Sequence, residues 1–132
     1  MRRVVITGMG TVNPLGKNVE EYWANIKANK NGLSFIDQFD TSDFDVKIVG
    51  AVKDFDSSKY IDKKEAKRMD RFTQFAVCSA MEALGNAGTD LKDLDPYRVG
   101  VIVGVGIGGL NLTEEEVTKF NAKPDKVSVF FI

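Results

Sequence analysis

Residues 72–88 read FTQFAVCSAMEALGNAG, and the fold turns on this stretch. At helical spacing Phe72, Phe75, Ala76, Ser79, Ala80, Ala83 and Leu84 share one face, while Val77, Cys78 and Met81 fill much of the rest. A helix that is apolar nearly all round belongs in the middle of a fold, with other elements on both sides of it. Asp70 stands at the N-cap position and Gly88 at the place of a left-handed C-cap, so the spacing predicts a buried helix between them. Such a helix needs sheets to cover it. Residues 3–8 (RVVITG) and 99–104 (VGVIVG) are short, apolar, β-branched runs ending at glycine, the pattern of strands covered on both faces. Residues 46–52 alternate Val46, Ile48, Gly50 and Val52 against Lys47, Val49 and Ala51, which predicts a third, weaker strand. Gly50 marks a bulge or a close backbone approach within it. The expected class is α/β, layered around a central helix.

Outward from this frame the punctuation is local. Residues 8–18 (GMGTVNPLGKN) form a loop broken by Pro14 and glycines, and Asn18 is placed to cap a helix whose first turn carries Glu20 and Glu21. Tyr22, Trp23 and Ile26 give that helix its apolar face, and Gly32 is expected to close it. Asp95-Pro96 predicts a turn. Thr113 is placed to cap a last helix with Glu114, Glu115 and Glu116 in its first turn. Residues 127–132 (VSVFFI) are mostly large and apolar, whereas domain ends are usually polar, so Ile132 is not expected to be a natural domain end.

Composition narrows the function. The chain has 132 residues, 43% apolar and 28% charged, the balance of one globular domain. Its 18 Lys and Arg against 19 Asp and Glu leave a net charge of −1, which gives no electrostatic reason for nucleic acid or an anionic membrane as the main partner. No apolar run is long enough to span a bilayer, and residues 1–9 break at Gly8, too early for a signal-peptide core. With no histidine, the chain cannot by itself assemble a Ser-His-Asp or Cys-His site or a His-ligated metal centre. With one cysteine it can form no internal disulfide, which suits a reducing cytoplasm. The expectation is a cytoplasmic protein with neither metal nor cofactor.

Three motifs could carry chemistry. Gly104, Gly106 and Gly109 satisfy G-x-G-x-x-G after a predicted strand, the place of a dinucleotide-binding loop. Leu110, Asn111 and Leu112 delay the expected helix to Thr113, and no acidic residue follows on a second strand to hold a ribose. A close-packed glycine turn is therefore the plainer reading. Cys78 lies mid-helix among apolar residues with no histidine to ionise it, which makes it a structural thiol. Lys63, Lys64, Lys67 and Arg68 are spaced to share one helical face in a stretch where seven of the ten residues 61–70 are charged. They form either a solvated face or a docking patch for an acidic partner or a phosphate.

Residues 2–44, from RRVVITGMG through NPLG to FDTSDF, together with GAVKDFD (50–56), KKEAKRMDRFTQFAV (63–77), RVGVIVGVGIGGL (98–110) and VSVFF (127–131), resemble the N-terminal part of the β-ketoacyl-[acyl-carrier-protein] synthases. The likeness is greatest to the elongating, type II condensing enzymes of fatty acid synthesis and runs over the whole chain. It implies an incomplete thiolase-like fold, residues 1–132 forming the first part of a layered αβαβα domain with a buried central helix. It implies an acyltransferase that joins an acyl chain to malonyl-carrier protein by decarboxylative Claisen condensation, using a cysteine and two histidines absent from these residues, so that this chain alone is inactive. It assigns Lys63, Lys64, Lys67 and Arg68 to docking of the acidic acyl carrier protein, and Gly106, Ile107, Gly108 and Phe131 to the acyl pocket. The implied partners are acyl and malonyl thioesters, the carrier protein and a second identical subunit. Where the family reads Ser-Pro-Phe-Phe, Ser128 is here followed by Val129, and Asp125-Lys126 keeps one charge of a common basic pair. Two other readings remain: a non-catalytic subunit like a chain-length factor, and an NAD(P)-binding Rossmann domain built on the 104–109 glycines.

Overall fold

The computed structural model describes residues 3–127. Helix α1 spans Val19–Lys27, and a two-residue ribbon pairs β1 (Ser34–Phe35) with β2 (Ile48–Val49) antiparallel, Ser34 opposite Val49 and Phe35 opposite Ile48. A one-turn helix α2 (Lys63–Ala66) precedes the long α3 (Arg71–Ala87), and α4 covers Leu110–Ala122. Short 3-10 turns at Leu91–Asp93, Pro96–Arg98 and Pro124–Lys126 link the rest.

The caps explain where the helices stop and start. Asn18 is extended, and its side chain accepts the Glu21 amide at 2.8 Å, as the sequence predicts. Glu20 and Glu21 sit at the positive end of α1 and Lys27 at the negative end. That helix ends at Lys27, capped by Ala28, rather than running to Gly32, because Asn29 takes up the left-handed conformation (φ 51°) that closes the turn. Helix α3 has the predicted bounds, with Gly88 left-handed at its C-cap (φ 63°). Asp70 occupies the N-cap position without making a capping bond. Helix α4 begins four residues earlier than a cap at Thr113 would place it. Gly109 is its N-cap, and the Thr113 hydroxyl bonds back to the Gly109 carbonyl at 2.9 Å from inside the helix.

The best-knit region is the face of α3 that meets residues 8–19. Backbone passes so close that a Cβ on Gly8 would lie 2.8 Å from the Ala87 nitrogen, and one on Gly10 would lie 2.8 Å from the Ser79 carbonyl carbon. Only glycine fits there. The Glu82 carboxylate then grips the loop at two points, accepting the amides of Thr11 at 2.9 Å and Val19 at 2.8 Å. Val19 is the first residue of α1, so the carboxylate also faces the positive end of that helix. Asn86 adds a bond to the Met9 carbonyl at 2.7 Å. On another side of α3, Phe75 meets Phe55 edge to face at 4.8 Å, and the Arg71 guanidinium lies over the Phe75 ring while donating to the Val52 carbonyl.

Three expectations need correction. The runs at 3–8 and 99–104 join no sheet among the described residues, and both are open to solvent, with Val4 96%, Ile6 85%, Val101 85% and Ile102 98% exposed. A strand is held by its neighbours, and no described segment offers these two runs a ladder. The predicted strand at 46–52 is reduced to Ile48–Val49 for the same reason, although Gly50 does lie close to another chain segment, its Cβ position 3.3 Å from Pro14. Helix α3 is covered on part of its surface only: Cys78 is buried, whereas Phe72, Ala80 and Met81 are exposed. Together with Ile61, Cys78 makes up the buried apolar core among the described residues.

Candidate functional site

The basic cluster sits on α2 and the bend after it. Asp62 caps the helix by accepting the Lys64 amide at 2.8 Å, and Ile61, 3% exposed, anchors the segment from below. Because the helix ends at Ala66, Lys67 and Arg68 lie on the following turn rather than on a continuous helical face. The cause is Gln74 of α3, whose amide donates to the carbonyls of both Ala66 and Met69 at 3.0 Å and so folds the segment down onto α3. Lys63, Lys64, Lys67 and Arg68 are all exposed. The carboxyl of nearby Asp56 is held below its usual range, mainly by the Ser58 amide and hydroxyl and to a smaller degree by the charge of Lys63.

The glycine-rich turn lies at the other end of the described chain. Residues 101–105 run without regular structure into a bend at Gly106 and Ile107, and α4 starts immediately after Gly109. Ile107 is 78% exposed, and a Cβ on Gly106 would meet nothing within 4 Å. Gly108 and Gly109 differ: a Cβ on Gly108 would touch the Phe72 ring at 3.2 Å, and one on Gly109 would overlap the Asp70 carboxylate, 2.7 Å from its Cγ. Phe131, the remaining residue assigned to this pocket, lies outside the described residues.

This geometry bears on the nucleotide reading. A dinucleotide loop needs free amides at a helix start aimed at a pyrophosphate. Here the start of α4 is faced by the Asp70 carboxylate, a group of the wrong sign for a phosphate. Cys78 is buried, and burial pushes its thiol above the ordinary value, opposite to what a nucleophile requires. Among the described residues no cluster of His, Cys, Asp and Glu could hold a metal ion, and no helix is long and apolar enough to cross a membrane.

Sequence reasoning missed the residues that position these elements. Glu82 is the one charged residue of 72–88 and Gln74 a long polar side chain in the same mostly apolar stretch, and that misfit is the signal that could have found them. A groove of ≈ 840 Å³ also opens beside the Glu82 clamp, lined by Met9, Thr11, Val19, Tyr22 and Trp23.

Comparison with known proteins defines first the class. The fold matches the ishigamide ketosynthase/chain length factor with a TM-score of 0.84 at 30% identity, over 98% of this chain and 33% of that one. It also matches a type II polyketide ketosynthase, solved with its acyl-carrier protein and bound to the hexaketide, with a TM-score of 0.75 at 28% identity over 100% and 36%. The described elements are thus part of an α/β, thiolase-like ketosynthase fold. The sequence then gives the family: the model of the β-ketoacyl synthase N-terminal domain matches residues 1–132, and the chain belongs to that family. Similar curated proteins are the 3-oxoacyl-[acyl-carrier-protein] synthases 2 of Synechocystis sp. (42% identical), Vibrio harveyi (41%) and Staphylococcus aureus (43%), each over 132 residues. This match takes in 99% of the chain and 32% of each relative, so the chain spans about a third of their length.

Proposed function

We propose that this chain is the N-terminal part of an elongating 3-oxoacyl-[acyl-carrier-protein] synthase, supplying a docking segment for the acidic carrier and one wall of the acyl pocket. The observation that carries this reading is identity of 41–43% to three 3-oxoacyl-[acyl-carrier-protein] synthases 2 along the whole chain, with Lys63, Lys64, Lys67 and Arg68 all on the exposed surface. Opposite charges on the two proteins would steer the encounter and give it a strong salt dependence. Gly106, Ile107 and Gly108 form the turn against which the acyl chain lies, Ile107 offering it an apolar side chain. The reaction is acyl transfer to a cysteine, decarboxylation of malonyl thioester and Claisen attack.

The 132 residues hold no histidine and a single cysteine whose thiol is buried and resists ionisation. Nucleophile and enolate-stabilising groups must therefore come from the rest of a synthase, in one polypeptide or two. The chain alone is expected to form no 3-oxoacyl product from acyl- and malonyl-carrier protein, and product formation by it would overturn this assignment. Carrier binding should weaken as salt rises and fail in a Lys63→Glu, Lys67→Glu chain; binding unaffected by both leaves the cluster as a solvated face.

A second reading has support of its own, because one matching structure is a ketosynthase/chain length factor. A chain-length-factor-like subunit would lack the nucleophile throughout. Sequence of the remaining two thirds decides, by the presence or absence of that cysteine. We assign both forms to the cytoplasm, with no cofactor.

A further inference from the structure

We propose that the first turns of α3 form a mechanical link between the basic segment at 63–69 and the glycine-rich turn at 106–109, so that a partner seated on the first repositions Ile107 in the second. The inference rests on the docking and pocket roles proposed above and adds a coupling between them. Two sets of contacts, on consecutive turns of one rigid helix, make the link. The Gln74 side chain clamps the basic segment through the carbonyls of Ala66 and Met69, both at 3.0 Å, and its backbone N–H donates to the Asp70 carbonyl at 3.0 Å. Asp70 and Phe72 press on the turn: the carboxylate lies against Gly109, and the ring stands 3.2 Å from where a Cβ of Gly108 would be.

The placement of Asp70 makes it the hinge of the link. It is the N-cap residue of α3, yet its carboxylate makes no capping bond there and is turned to the start of α4 instead. The connection from Met69 to Asp70 is one peptide long, so a shift of the basic segment is carried to the carboxylate without slack. Gly109 has no side chain to absorb such a shift, and Leu110 is tied to Gly108 by a 2.7 Å backbone bond, so the motion passes to the turn that bears Ile107. Gly106 has open space around it and supplies the freedom to respond. Close packing at one end and free volume at the other is what a two-position element needs.

Coupling is reciprocal, which gives the test two directions. In the first, the isotope-labelled chain is titrated with an acidic acyl carrier protein while amide resonances are followed. Resonances of 63–68 and of 106–109 should move with one midpoint. Gln74→Ala and Asp70→Asn should keep the first set moving and lose the second. Movement of 63–68 with 106–109 silent in the parent chain overturns the link, as does full retention of the second set in both variants. In the reverse direction, with no carrier present, Gly109→Ala displaces the Asp70 carboxylate and should shift the amides of 63–69; their silence also overturns the link. If the carrier moves neither set, the docking role falls and the Gly109→Ala measurement alone decides the link. Helical circular dichroism equal to the parent's identifies the variants that remain folded.

Discussion

Gly8-Met9-Gly10 and Gly104-Val105-Gly106 look alike in the sequence, each a pair of glycines at the end of a β-branched apolar run. In the structure they are opposites. The first pair lies against α3 so closely that a methyl group on either glycine would overlap helix backbone. The second pair meets nothing within 4 Å. Glycine marks a close approach in one case and open conformational freedom in the other, and the difference lies in the partner. Residues 8–19 find α3, with Glu82 and Asn86 to hold them, whereas residues 99–106 find no described neighbour and leave Val101, Ile102, Val103 and Val105 exposed.

The sharpest way to break this contrast is to add volume at the tight end. Gly10→Val puts branched carbon into the Ser79–Ala83 backbone, which can yield only by moving the helix. The expected cost is about 3 kcal/mol, the upper end of ordinary overpacking, read as a lower urea midpoint of the chain. Glu82→Ala follows at about 2 kcal/mol, since it removes charge-assisted bonds to two amides and leaves both to water. Glu82→Gln should fall between, because a single amide oxygen replaces two carboxylate oxygens and the NH2 group faces a donor. If Glu82→Ala were neutral, the clamp would contribute nothing, and the glycine contacts alone would hold the loop. Gly88→Ala is next at about 1 kcal/mol, the cost of a Cβ in the left-handed C-cap, with no packing change because the site is open.

These effects separate what could be read from the sequence from what could not. The end of α3 was legible because Gly88 acts locally, within a turn of the helix it closes, and Asp70 marked the start by residue type although its carboxylate makes no capping bond there. Asn18 was legible for the same reason. The start of α4 misled because Thr113 is the better N-cap by residue type, while the actual cap, Gly109, is set by contact with Asp70 from a different element. Glu82 was invisible for a stronger reason: its two bonds reach across 71 and 63 positions of chain, and no window of local pattern contains both ends. The composition of the basic segment was plain, but its short helix was not, since it depends on Gln74 reaching back to Ala66 and Met69. The runs at 3–8 and 99–104 have strand composition without strand pairing, because periodicity reports a preference and a ladder requires a neighbour.

The smallest expected effect tests the open end. Gly106→Val adds the same side chain as Gly10→Val to a superficially equivalent glycine, and its φ is not in the left-handed region, so neither strain nor overlap opposes it. Its effect on the stability of this chain should stay within about 0.5 kcal/mol, the range of surface substitutions without a special feature. A cost near that of Gly10→Val would mean that residues 99–106 pack in solution against another surface, a second copy of the chain being the first candidate. Sedimentation of the parent and the variant would distinguish the cases: a monomer in both leaves the contrast intact, and an oligomer dispersed by Gly106→Val replaces it with an interface built on residues 99–106.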